Sequence, residues 1–270
     1  MAIHPTAIVE DGALLGADVE IGPFCIVGGK AKLGDGVRLI SHASVMGDTT
    51  LGARSVVYPG AILGGDGQIH GNNAPEARLV IGEDNVIREG VTMNLGSAKG
   101  HGVTEVGARG YFMAMSHIGH DCQVGNDVTM ANGVLLAGHV QVGDGAIFGG
   151  LSAVQQFGRI GRGAMLGGIS GANNDVIPYG MAIGMHAKLT GLNIIGLKRR
   201  GVPHSKMQAL RAAFRAIFLG EQGSLAESAI AAREKWADIE QVVEICDFIL
   251  APAKRQVCAA RRHGFDPDEE

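Results

Sequence analysis

The stretch "IHPTAIVEDGALLGADVEIGPFCIVGGKAKLGDGVRL", residues 3–39, decides the fold. Every sixth residue from Ile3 is aliphatic: Val9, Leu15, Ile21, Val27, Leu33 and Leu39, and the series runs on through Val45, Leu51, Val57 and Leu63. Two residues before most of them stands a small side chain, as at Ala7, Ala13, Cys25, Ala31, Ala43, Thr49, Ser55 and Ala61. The phase breaks at "GGDGQIHGNNAPEAR", resumes at Ile81, Ile87 and Met93, and breaks again at "NLGSAKGHG". From Val106 it returns one residue out of step, at Phe112, Ile118, Val124, Met130, Leu136, Val142, Phe148, Val154, Ile160 and Leu166.

Neither a 3.6-residue helix nor a two-residue strand alternation produces a strict six. A hexapeptide period is the mark of a parallel β-helix. Each hexad supplies one short strand and a turn, three hexads close a triangular coil of 18 residues, and the aliphatics stack inward. Small residues fit where the coil turns, and the frequent glycines, 43 in 270 residues, permit backbone conformations closed to other residues. The expected fold is mainly β: a left-handed parallel β-helix over residues 1–190. A C-terminal α-helical domain is expected over 191–270. There Met207, Leu210, Phe214, Ile217 and Phe218 share one apolar face, with Ser205 as the expected N-cap after Pro203. Leu225, Ala229, Ala232 and Trp236 form a weaker stripe begun by Ser224. Ile239, Val242, Val243, Cys246, Ile249 and Leu250 form a third, ended by Pro252. These stripes are read as core-facing, and the tail "GFDPDEE" as frayed.

Aromatics make up only 4 % of the chain, so the interior is expected to be built from small and branched aliphatic side chains. A net charge near −4 gives no reason to expect nucleic acid as a partner. The four cysteines, Cys25, Cys122, Cys246 and Cys258, form no CxxC pair, which argues against a structural zinc site or a disulfide framework and suits a reducing compartment. No apolar run approaches the roughly 18 to 20 residues of a membrane span, and "MAIHPTAIVEDG" lacks the regions of a signal peptide. A cytoplasmic location is therefore expected.

Against this monotony, "SHIGHDC" at residues 116–122 concentrates two histidines, an acid and a thiol. An 18-residue coil turns sequence spacing into stacking at about 4.8 Å per coil. His120, Gly138 and Gln156 should then lie one above another, with Asp121 and His139 stacked beside them. His117 is three residues upstream in the same coil. Two coils thus bring together three histidines and a carboxylate. Structural hydrogen bonding alone is one reading. A zinc site is a second, although the two-residue gap between His117 and His120 and the single thiol of Cys122 suit it poorly. General-base chemistry is the third: histidine accepts and returns a proton near neutral pH, and a carboxylate such as Asp121 can orient the ring. His4, His101, His204 and His263 read as surface or corner residues.

The segments "IHPTAIVEDGA", "IGPFCIVG", "SHIGHDCQVGN", "LAGHVQVGD", "AVQQFGRIG", "DVIPYGMAIGMHA" and "GLNIIGLKRRG" carry a resemblance that extends over essentially the whole chain. It is to the bacterial UDP-N-acetylglucosamine O-acyltransferases, which open lipid A biosynthesis. The hexads alone indicate only the wider β-helix superfamily; the HxxHDC run, the LAGH element and the NxxGLKRRG end are more specific. The resemblance implies transfer of an (R)-3-hydroxyacyl chain from acyl-carrier protein to the sugar's 3-position. It casts His120 as general base, Asp121 as its orienting acid and the Gly138 N–H as oxyanion donor. Gln68, His117, His139, Gln156, Asn193 and Arg199 would bind sugar nucleotide or donor. Gly168 would lie where a bulkier residue closes the acyl groove, with His186 near its far end. The resemblance further implies a homotrimer with sites in the clefts between subunits, and neither metal nor cofactor. The basic run "LKRRG" with Arg211 and Arg215 would receive the acidic carrier.

The related N-acyltransferases of the pathway carry a uridine-binding domain before the β-helix; hexads beginning at Ile3 leave no room for one. A non-catalytic β-helix, serving as a scaffold or an ice-binding surface, is the alternative of a different class; an ice-binding face needs regular exposed threonine ranks, and Thr49 and Thr50 do not recur in rank. The chain also departs from the family pattern. A Gln-Asp-x-Lys run is replaced by Gln68, Ile69, His70 and Gly71, with Gln155 where histidine is common and Ile195 where an acid is common. Loss of the lysine cation leads to the expectation that a 3-amino sugar nucleotide is accepted as well as the 3-hydroxyl form.

Overall fold

The computed structural model describes residues 1–71, 74–220 and 223–261. The tail "GFDPDEE" and His263 lie outside the described residues. Short strands, most of two residues, stack in three parallel sheets that form the sides of a left-handed triangular prism. The first sheet begins at Ala2–Ile3, the second at Ile8–Val9 and the third at Leu14–Leu15. Register is the hexad arithmetic made visible: Ile3 pairs with Ile21, Ile21 with Leu39, and Leu39 with Val57, each 18 residues on.

The two phase breaks are insertions into this register. Leu51 pairs with Ile81, thirty residues later, and Ile81 with Val106, twenty-five later. Twelve extra residues are two whole hexads and preserve the phase; seven extra shift it by one, which accounts for the offset from Val106 onward. Both insertions connect the second sheet to the third. One follows Ile62–Gly65 and ends at Arg78–Ile81, and the other follows Thr92–Asn94 and ends at Val103–Val106. They therefore sit on a single edge of the prism.

The inward column is the core. Val27, Leu39, Leu51, Ile87, Phe112, Ile118, Met130 and Leu136 are fully or almost fully buried, as are the small residues Cys25, Ala31, Ala43 and Ala61 that precede such positions. Burying a side chain of this size contributes roughly 1.5–3 kcal/mol. The column fails only at its open start, where Ile3 has no coil beneath it and remains exposed. Thr49 keeps its place inside because its hydroxyl donates to the Met46 carbonyl at 2.6 Å.

The prism ends in Gly180–Ile183, from which Lys188–Leu192 returns antiparallel. Among the described residues four helices follow: α1 (Ile194–Arg199), α2 (His204–Phe218), α3 (Leu225–Lys235) and α4 (Glu240–Leu250). Ser224 caps α3 as expected, in a reciprocal capping box with Glu227. Ser205 does not cap α2. Pro203 takes that position, its carbonyl accepts from the Met207 N–H at 3.1 Å, and Ser205 falls inside the first turn. A buried ion pair fastens α4 to the prism: Arg159 Nε donates to Asp175 Oδ2 at 2.6 Å while its guanidinium lies over the Phe248 ring. Beyond α4 the chain runs back along the prism, bridging Asp175 to Val257 and Leu189 to Ala260.

Candidate active site

The edge between the second and third sheets carries Asp121, His139 and Phe157 in a column, each with left-handed φ (58°, 61° and 63°). Non-glycine residues rarely adopt this conformation, and Asp and His tolerate it better than most. The expected stacking is present. The His139 N–H donates to the His120 carbonyl and the Phe157 N–H to the Gly138 carbonyl. The His139 ring lies flat on Phe157, centroids 4.5 Å apart and planes 11° apart, and meets the His120 ring edge-on at 5.0 Å.

His120 is buried, and its Nδ1 lies 2.8 Å from Asp121 Oδ2. Asp121 also accepts from the Ser97 hydroxyl at 2.6 Å, the Ser97 N–H at 3.2 Å and the Gly102 N–H at 3.1 Å. Its own N–H donates to Thr104 Oγ1 at 2.8 Å. Burial alone would raise the Asp121 pKa, but the bonds from Ser97, His120 and Gly102 outweigh it and hold the carboxyl below its ordinary range. Asp121 is therefore ionised, and an ionised acceptor draws the imidazole proton to Nδ1. Nε2 is left with its lone pair directed over Gly138, where there is no room for a β-carbon. No acceptor among the described residues takes the Gly138 N–H. This arrangement can accept a proton at Nε2, stabilise the resulting imidazolium through Asp121, and offer an N–H to developing negative charge nearby.

The other predicted residues divide by prism edge. His117 lies beside this site on the second sheet, its Nδ1 2.7 Å from Thr92 Oγ1. Burial first and the neighbouring His120 second lower its pKa. Gln68, in the first insertion, and Gln156 are on the same edge, both exposed; the Gln156 carbonyl accepts from Arg255 Nε at 2.9 Å. Gly168 is on another edge, and His186 is at the end of the prism, over the last strand of the second sheet. Gly168 adjoins Ile169 on the edge between the first and second sheets, and His186 Nδ1 is 3.0 Å from Asn173 Nδ2. Asn193 is on the remaining side: it caps α1, accepting from the Gly196 N–H, and donates to the Gly163 carbonyl at 3.0 Å. Arg199 is exposed in the last turn of α1. One chain thus brings His120, Asp121, Gly138 and His139 together, leaves Gly168, Asn193 and Arg199 on other edges, and puts His186 at the end of the prism beside Asn173.

The reading of His101 is corrected. His101 is not an isolated surface residue, since its Nδ1 approaches Asp121 Oδ1 to 3.8 Å. Cys122 faces inward, donating to the Ala137 carbonyl at 3.1 Å, and burial pushes its thiol pKa up to about 12. It cannot share a metal with His117 and His120. Ser97, Thr104 and Gly102, which hold Asp121, belong to or follow the second insertion. The available clue was its position: extra residues on one edge, one coil before Asp121, must lie against it.

A three-sided β-helix of hexads with a buried histidine–carboxylate pair on one edge defines the class of hexapeptide-repeat acyltransferases. Comparison narrows the class. The second-domain model of the UDP-N-acetylglucosamine O-acyltransferases matches residues 175–258. Acyl-[acyl-carrier-protein]–UDP-N-acetylglucosamine O-acyltransferases of Sinorhizobium fredii and Rhizobium rhizogenes are 46% and 49% identical, covering 97% and 96% of this chain and 97% and 96% of their own. The solved UDP-N-acetylglucosamine acyltransferase from Campylobacter jejuni superposes with a TM-score of 0.90 at 39% identity, over 96% of this chain and 100% of its own. The chain belongs to the UDP-N-acetylglucosamine O-acyltransferase family and is an enzyme.

Proposed function

We propose that this chain transfers an (R)-3-hydroxyacyl group from acyl-carrier protein to the 3-position of UDP-N-acetylglucosamine, with His120 as general base. The observation that carries the reading is the 2.8 Å contact of His120 Nδ1 with Asp121, which leaves Nε2 free above Gly138. Nε2 takes the proton of the sugar 3-hydroxyl as that oxygen attacks the thioester carbonyl. The tetrahedral oxyanion is met by the Gly138 N–H. Collapse expels the carrier's thiolate, which recovers the proton from the His120 imidazolium.

The site is completed by further copies of the chain. Gly168, Asn193 and Arg199, expected to take part in acyl and nucleotide binding, occupy edges other than that of His120, so a homotrimer of parallel prisms is the arrangement that unites them. An exposed apolar ridge supports this: Met115, Leu151 and Ile169, stacked on the edge that bears Gly168, are 68%, 69% and 72% exposed in the single chain. Arg215 and Arg199 are exposed at the basic helical end, where an acidic carrier would dock. Among the described residues no helix is long and apolar enough to cross a membrane, in keeping with a cytoplasmic enzyme.

A second reading, acceptance of the 3-amino analogue, is favoured by the charge of the first insertion: Gln68, Ile69, His70 and Gly71 stand where the family pattern has a lysine, and a cleft with fewer fixed cations better tolerates a substrate bearing an ammonium group. Mass spectrometry of products from mixed acyl-carrier thioesters, with both sugar nucleotides competing, tests both readings. Acylated UDP-sugar is the expected product; absence of acyl transfer refutes the function, and exclusive use of the 3-hydroxyl form refutes the second reading.

A further inference from the structure

The hydrogen bond from Gly102 to Asp121 brings with it a side chain that the transfer chemistry does not use. His101 Nδ1, a His139 ring nitrogen and an Asp121 oxygen lie within 4.8 Å of one another. His101 Nδ1 is 3.8 Å from Asp121 Oδ1, and His139 Nε2 is 3.9 Å from Asp121 Oδ2. Zinc bonds of ~2.1 Å in a tetrahedron place their donors about 3.4 Å apart, so shifts well under a bond length would close the set. Two imidazoles and one carboxylate are a ligand combination that zinc and its neighbours in the first transition row bind readily, with a fourth position left open.

The surroundings supply what such a site needs. His139 is fixed by Phe157 stacked on its face. Asp121 is anchored by Ser97 and Gly102, the kind of outer support that orients a ligating carboxylate. His101 is 44% exposed and is the movable member, so an ion can enter when its ring swings outward. Together with Lys254 the three line a cleft of about 320 Å³, into which the open coordination position would face.

We propose that His101, Asp121 and His139 form an inhibitory site for a divalent transition-metal ion of the zinc type. The inhibitory part rests on the reading of His120 as base. A dication on Asp121 would compete for the carboxylate that orients His120. Occupation would therefore block the proton transfer without unfolding the prism.

Binding and inhibition are separable in experiment. The full-length enzyme, stripped with chelator, is titrated with Co²⁺ and followed by its visible d–d absorption, then back-titrated with Zn²⁺. One ion per chain is expected, in a low-symmetry site, with displacement by zinc. His101→Ala should weaken Co²⁺ binding at least about tenfold, as loss of a ligand or its support does, and leave metal-free activity unchanged. Zinc should inhibit the parent enzyme and spare His101→Ala. Failure of the parent to bind Co²⁺ saturably, or equal binding by His101→Ala, would overturn the site. Activity lost on chelation and restored by zinc would overturn the inhibitory role. Retained activity in His120→Ala would instead remove the base assignment, while the Co²⁺ titration still reports on the metal.

Discussion

The His120 imidazole occupies the space that a β-carbon on Gly138 would need. Gly138 does not have left-handed φ, so its backbone tolerates any L residue, and the requirement for glycine comes from the ring above it. Gly138→Ala should therefore fold but push the imidazole off its position over the oxyanion donor. A 1 Å displacement at such a site costs on the order of 10²-fold. The expected result is a fall in kcat of that size with unchanged far-UV circular dichroism; parent-like kcat would show that His120 is not held against Gly138.

His120→Ala should lose the ~10²–10⁴-fold that general bases contribute. Asp121→Asn distinguishes orientation from mere presence of the ring. The asparagine amide can donate to Nδ1, which would move the imidazole proton to Nε2 and leave no lone pair for the substrate. Its activity should approach that of His120→Ala, and the double variant should be little worse than either single one. Additive losses in the double variant would mean that the two residues act separately.

Ser97 donates to Asp121 through both its hydroxyl and its N–H. Ser97→Ala removes the 2.6 Å bond and keeps the backbone one. A hydrogen bond to a charged group is worth about 1.5–3 kcal/mol, so both thermal stability and kcat should fall, kcat by about tenfold or more. Gly102 still donates, so activity should exceed that of Asp121→Asn. An unchanged Tm and kcat would show that the insertion merely covers the carboxylate.

The repeat was legible because one physical demand, an apolar side chain pointing inward from each short strand, recurs at Val27, Leu39, Val57 and about twenty further positions. Stacking of Asp121 with His139, and of His120 with Gly138, follows from the same count. What periodicity could not supply were contacts made by residues outside it. Ser97 and His101 reach Asp121 through an insertion whose path depends on individual hydrogen bonds. The start of α2 was misplaced because Ser205 has the side chain of a cap, whereas the turn closes on the Pro203 carbonyl. Asn193 carries its polar character into a helix cap as well as any ligand contact, and sequence alone does not separate the two.

Acyl-chain length should be set beside Gly168. Gly168 is exposed, lacks left-handed φ, and the nearest atom to a β-carbon built there is the Gly150 carbonyl oxygen at 3.4 Å. A larger side chain fits with a shift of a few tenths of an ångström and would project outward beside Ile169. If that edge measures the acyl group, Gly168→Met fills the groove part-way along and should shift preference toward chains several carbons shorter. Each buried methylene is worth about 0.8 kcal/mol, or roughly fourfold in kcat/KM, so excluding four carbons would cost more than 10²-fold for the long donor. Short donors would keep near-parent rates, because His120 and Gly138 are on another edge. Competition among acyl-carrier thioesters of graded length reads the profile directly. A uniform loss at every length would mean that the methionine disturbs assembly, and an unchanged profile would place the ruler at another residue.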